Sequence, residues 1–316
     1  MRKNLQDRAA RPERGSTPID LRHGHPAMTV LLYALTVLIW GTTWIAIKFQ
    51  LGVVPIEASI VYRFALAAAV LFVGLLATGR LQRLRAVDHG WCLAQGACLF
   101  CLNFVCFYAA TGYVTSGTVS VVFSAATVFN AVNGRLFFGR RLTARVLAGA
   151  ALGVSGLTAL FWRDLAGGGA AALHGVALAA AGTLCFSFGN MISARHQALG
   201  LRPLSTNAWG MLYGTLLLAA VAALRGVPFT FDASPHYVAA LLYLAIPGSV
   251  IGFTAYLTLV GRIGADRAAY ATVLFPVVAL TISSRVEGYQ WSATGAAGLA
   301  LVMLGNVLVF RAPRAS

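Results

Sequence analysis

Ten apolar runs, each close to the length that crosses a lipid bilayer, constrain this chain more than any motif in it. They lie at about 29–49, 58–78, 91–111, 115–134, 144–162, 174–194, 206–224, 237–260, 267–284 and 291–311. A helix rising 1.5 Å per residue needs ~20 residues to cross a ~30 Å hydrocarbon core. No water is available there to satisfy backbone N–H and C=O groups, so such runs must close their hydrogen bonds internally as helices. Barrel strands would be ~10-residue segments of alternating polarity, and the sequence has none. Composition agrees: 59% of residues are hydrophobic, only 10% are charged, and mean hydropathy is +0.76. Soluble domains carry about 25% charged residues. The expected class is an all-α integral membrane protein with ten transmembrane helices.

Charge placement orients the chain. The formal net charge is +15, but its distribution says more than its sum. With the N-terminus inside, nineteen of the 24 Lys and Arg residues fall in the tail, the even-numbered loops and the C-terminus. Only Lys48, Arg163, Arg225 and Arg285 fall on the other side, and Arg63 lies within a span. Such a split in short loops places both termini in the cytoplasm. The basic residues therefore read as topology determinants, not as a nucleic-acid interface. Residues 1–28 read as a disordered, basic cytoplasmic tail. Two Lys against 22 Arg, with abundant Ala and Gly, lean towards the inner membrane of a GC-rich bacterium. Cys92, Cys98, Cys101, Cys106 and Cys185 all fall inside spans and imply neither a disulfide framework nor a metal site. No cofactor is expected.

The two halves of the chain overlay at an offset of 148–149. Trp40-Gly41 falls on Phe188-Gly189, Arg63 on Met211, the stretch from Gly112 on the stretch from Gly261, and Gly149 on Gly298. Five spans repeated in tandem must enter the membrane inverted the second time. Inverted repeats are the recurring architecture of secondary transporters, with the solute site between the repeats. The fold expected is thus two inverted five-helix repeats, at 29–163 and 174–311.

Several stretches resemble one family. They are WGTTW (Trp40 to Trp44), TSGTVSVVFSAATVF (Thr115 to Phe129), FFGRRLTARVLAGAALGVSG (Phe137 to Gly156) and VEGYQWSATGAAGLALVMLGN (Val286 to Asn306). In this order they are similar to the drug/metabolite transporter superfamily, of the EamA type, over roughly residues 30–310. Two positions depart from the family pattern: Arg140 stands where an acidic residue is usual, and Thr127 where Pro is usual, although the second half keeps Pro276. The resemblance implies export or exchange of small metabolites, amino acids or drugs through a central cavity.

Arg63 is the one charged residue well inside a span. A charge at a helix centre costs at least ~2.5–3.5 kcal/mol. It can snorkel, pair with Glu57, or orient a carboxylate or phosphate. Neutral polar and aromatic side chains complete a candidate cavity. The first half offers Trp40, Thr43, Trp44, Asn103, Tyr108, Ser124, Thr127 and Asn130; the second offers Ser187, Asn190, Trp209, Tyr213, Tyr256, Tyr270 and Thr272. Each could instead serve helix packing or sit at an interface. Pro276 and Pro247-Gly248 are hinge candidates. Gly149, Gly153 and Gly156, and likewise Gly295, Gly298 and Gly305, form small-residue faces for packing within the protomer or across a homodimer. A polytopic enzyme would need paired intramembrane Asp, a His-Glu metal motif or a Ser/His arrangement. The six His residues instead fall in the tail or at span ends, and no Asp or Glu lies deep in a span. Uncoupled transport, or coupling only through exchange or through peripheral groups such as Glu57 and Glu287 at helix ends, is the expectation that follows.

Overall fold

The computed structural model describes residues 26–139, 142–160, 162, 169–263, 268 and 271–310. Ten helices cross or nearly cross a bilayer's thickness among them: α1 Pro26–Lys48, α2 Ile56–Ala77, α3 Ala86–Tyr113, α4 Ser116–Phe138, α5 Ala144–Leu160, α6 Ala170–Ala198, α7 Pro203–Leu224, α8 Pro235–Val260, α9 Ala271–Val286 and α10 Ala293–Phe310. Seven are long and apolar enough to span unaided, and α5, α9 and α10 are shorter apolar helices. Starts and stops follow local chemistry. The Thr115 and Ser234 hydroxyls accept from the backbone N–H three residues on, at the heads of α4 and α8. Gly139, at φ +69°, ends α4 in a left-handed turn that disfavours other residues.

The helices are not all regular. α4 breaks at Ser124–Ala125, where the Ser124 hydroxyl donates to the Val121 carbonyl at 2.6 Å and competes with the helix ladder. The middle of α3, Ala97–Leu102, is π-helical, and so is Leu244–Ile251 of α8. These two segments are equivalent under the offset that relates the halves. Both are third helices.

Helix contacts run mostly between the halves and obey one rule. The main pairs are α5 with α10, α3 with α6, α1 with α8, α3 with α7, α2 with α8, α2 with α7, α1 with α9, α4 with α6, and α4 with α9. Replacing helix n by n+5 maps this set onto itself, as a twofold pseudo-symmetry between inverted halves requires. Glycines let the symmetric pairs approach closely. A Cβ on Gly298 would sit 2.6 Å from the Gly156 carbonyl oxygen, and one on Gly305 would sit 2.5 Å from that of Gly149. The small-residue faces of α5 and α10 thus meet each other inside one protomer. Gly96 and Gly210 do the same for α3 and α7.

Candidate functional site

Between the halves lies a cavity of about 40 Å³, lined by Trp40, Thr43, Trp44, Ile47, Arg63, Asn103, Phe104, Phe107, Phe123, Phe186 and Phe253. That is room for about one water, so the chamber is closed around itself here. α1 supplies its floor. Trp40 is caged by Phe253, Tyr256, Phe275 and Phe186, with ring centroids 4.8–6.2 Å away. Its Nε1 donates to the Gly248 carbonyl at 3.0 Å, inside the π-helical stretch of α8. One turn on, Trp44 packs against Phe107 and Phe123 at 5.3 and 5.4 Å. Its indole N–H is buried without a partner. Thr43 turns its hydroxyl back to the Trp40 carbonyl at 2.9 Å.

Arg63, only 2% exposed, reaches in from α2. Its Nε donates to the Ser249 hydroxyl at 3.0 Å, and Ser249 donates in turn to the Leu244 carbonyl at 2.8 Å, a span of five residues that matches the π pitch. The guanidinium lies over the rings of Phe104 at 4.4 Å and Phe64 at 5.0 Å. It adjoins the Tyr108 hydroxyl, which donates to Gln50 Oε1 at 2.6 Å. No carboxylate pairs with Arg63 among the described residues, and Nη1 has no partner. Glu57 lies instead 3.7 Å from Arg225, so neither snorkelling nor a pair with Glu57 accounts for Arg63. Its counterpart Met211 is fully buried and uncharged. Asn103, on the turn after the π segment of α3, is 1% exposed and carries an unpartnered Oδ1.

The other polar residues singled out from the sequence are distributed around this chamber. Tyr256 and Tyr108 stand directly behind it. Thr127 bonds to Asn306 on α10, and Ser187 accepts from Asn133 at 2.8 Å, so both fasten α4 to helices of the second half. Asn130 Oδ1 and Asn190 Nδ2 are buried and unpartnered in the same region. Pro276 and Thr272 are buried within α9. Trp209 and Tyr213 do not join the chamber. They stack on each other at 5.7 Å beside His89, and Trp209 lines a separate cavity of about 450 Å³ at the end that carries the α2–α3 loop. Tyr270 lies outside the described residues.

At the opposite end a cavity of about 590 Å³ holds Lys48 and Glu287. Lys48 donates to the Thr111 carbonyl at 2.7 Å. Glu287 accepts from the Ser116 N–H at 3.1 Å and from the Ser283 hydroxyl at 2.6 Å, a carboxylate seated on the N-terminus of α4. His196 sits only two residues from the end of α6, yet it is fully buried. Its Nδ1 bonds Gln95 Oε1 at 2.9 Å, and Gln95 reaches Asn207 at 3.4 Å. Asp88, 1% exposed, is held by Arg85 at 2.9 Å. Position within a span therefore understated how deeply these two groups are enclosed.

Missing from the sequence-based set were five phenylalanines and Ile47. Phe is common in lipid-facing helices, so identity alone gives no signal. Their repeated 4.8–6.2 Å ring contacts appear only once the helices are assembled.

Known proteins place this architecture. Residues 27–162 and 173–311 each match the model of the EamA-like transporter family. A probable amino-acid metabolite efflux pump of Escherichia coli (strain K12) is 29% identical, over 87% of this chain and 92% of that protein. An uncharacterized inner membrane transporter of the same organism, YedA, is 26% identical, over 86% and 89%. A crystal structure 18% identical in sequence superposes with a TM-score of 0.64, covering 90% of this chain and 98% of that one, and shares the fold. Two family matches, one on each five-helix half, and the inverted pairing of those halves around a closed chamber make this chain a member of the EamA-like transporter family, within the drug/metabolite transporter superfamily.

Proposed function

We propose that this protein exports or exchanges a small organic metabolite, an amino acid or a related compound, across the inner membrane of a bacterium. The halves at 29–163 and 174–311 rock against each other around the chamber at Trp40 and Arg63, opening it to each side in turn. Both termini are cytoplasmic, as the basic residues direct. The observation that carries this reading is the chamber itself: aromatic, closed, placed between inverted halves, and holding one buried cation without a counter-charge among the described residues. The name of the Escherichia coli efflux pump supports the amino-acid class, and that of YedA supports the membrane.

Trp40→Ala tests it in proteoliposomes preloaded with unlabelled amino acids. Wild-type protein should accumulate labelled amino acid by counterflow, while the variant, inserted at normal levels, should lose flux by about tenfold or more. Undiminished flux through the variant refutes the chamber as the path.

A further inference from the structure

Three buried polar atoms in the chamber have no partner: Arg63 Nη1, Trp44 Nε1 and Asn103 Oδ1. Buried polar groups in folded proteins are almost always satisfied, and an unsatisfied one costs ~1–3 kcal/mol, more when charged. Among the described residues, three such atoms border one cavity and are left free to bind a solute. Two are donors, one of them cationic, and the third is an acceptor. All other lining groups are apolar, except Thr43, whose hydroxyl is already engaged.

We infer that Arg63, Trp44 and Asn103 form a recognition set for the zwitterionic head of an α-amino acid with an uncharged, apolar side chain. This rests on the transport reading above and narrows it. The carboxylate accepts from Arg63 Nη1 and Trp44 Nε1, and the ammonium donates to Asn103 Oδ1. Arg63 is already steered by Ser249 through Nε, which leaves Nη1 for the ligand. With the halves parted to widen the 40 Å³ space, the side chain lies among Phe107, Phe123, Phe186 and Phe253. Nothing in the lining answers a second charge. A dicarboxylate would bury an unpaired anion, and a cationic side chain would meet Arg63 with no acid beside it.

The test is counterflow by the full-length protein in proteoliposomes, with leucine, leucinamide, 4-methylpentanoate, glutamate and lysine as probes. Leucine should exchange. Leucinamide lacks the carboxylate and 4-methylpentanoate lacks the ammonium, so each should exchange at least about tenfold less well, the loss expected for one charged hydrogen bond. Glutamate and lysine should not exchange. Arg63→Met, which copies Met211, should abolish leucine exchange. Trp44→Phe keeps the ring and should weaken leucine about tenfold. Asn103→Leu should erase the preference for leucine over 4-methylpentanoate. The last two keep the test open if Arg63→Met does not fold. Equal leucine exchange by wild type and all three variants overturns the recognition set while leaving the transport reading intact. Exchange of glutamate or lysine at leucine's rate also overturns the set. If no amino acid exchanges at all, the broader reading falls with it.

Discussion

Gly252→Ala should unseat Trp40 from a distance. Gly252 opens the regular part of α8 just after its π segment, facing the indole. A Cβ there would lie 2.3 Å from Trp40 Nε1 and 2.9 Å from Cδ1, against an ordinary contact of 3.4–4 Å. The ring would have to move by about 1 Å, but aromatic rings hold it on four sides in a close-packed interior. Its 3.0 Å bond to the Gly248 carbonyl would break, at about 1–3 kcal/mol for the orphaned partners. Overpacking adds about 1–3 kcal/mol. Replacing Gly by Ala in a helix returns about 1 kcal/mol, leaving a net loss of about 1–5 kcal/mol. Thermal melting in detergent should fall by several degrees, and counterflow by about tenfold or more as the displaced indole fills the chamber. Gly153→Ala is the matched control, because its Cβ would meet nothing within 4 Å. A Gly252→Ala protein that melts and exchanges like wild type refutes the seating of Trp40 against α8.

Two further outcomes follow from the packing. Gly298→Ala puts a Cβ 2.6 Å from the Gly156 carbonyl oxygen and 2.7 Å from the Leu160 nitrogen, both backbone, so α5 and α10 must part. The melting temperature should drop by an amount equivalent to about 1–3 kcal/mol, and an unchanged value would contradict the close pairing. Glu287→Gln removes the carboxylate from the head of α4, where it accepts from Ser116 and Ser283. A loss of about 0.5–2 kcal/mol is expected in the same melting assay, and none would mean that this carboxylate does not hold α4.

The architecture was readable because lipid leaves so few options. Run length sufficed for helix number, and a constant offset exposed the repeat. Arg63 and Trp40 stood out because a charge and an indole in mid-span are costly or uncommon. The rest of the chamber was hidden for a physical reason: helices apolar almost all round carry no hydrophobic stripe that marks the inward face. Phe123 and Phe186 therefore looked no different from Phe137, which is exposed. Trp209 and Tyr213 looked equally suitable for the chamber, but their helix turns them towards His89. The break in α4 was masked too, because Ser124 and Thr127 read as lining groups until their hydroxyls were seen bonded to backbone carbonyls.

The frame of the chamber obeys the exchange of helix n with helix n+5, down to the paired π segments, but its charge does not. Arg63 lines the chamber from α2, while its counterpart Met211 is buried in α7 outside the lining. A box with true twofold symmetry would accept a cargo equally well in either of two reversed poses. With a single cation it admits one. On the transport reading proposed above, each passenger then travels with the same end leading on every cycle, and mirror-image passengers meet different walls.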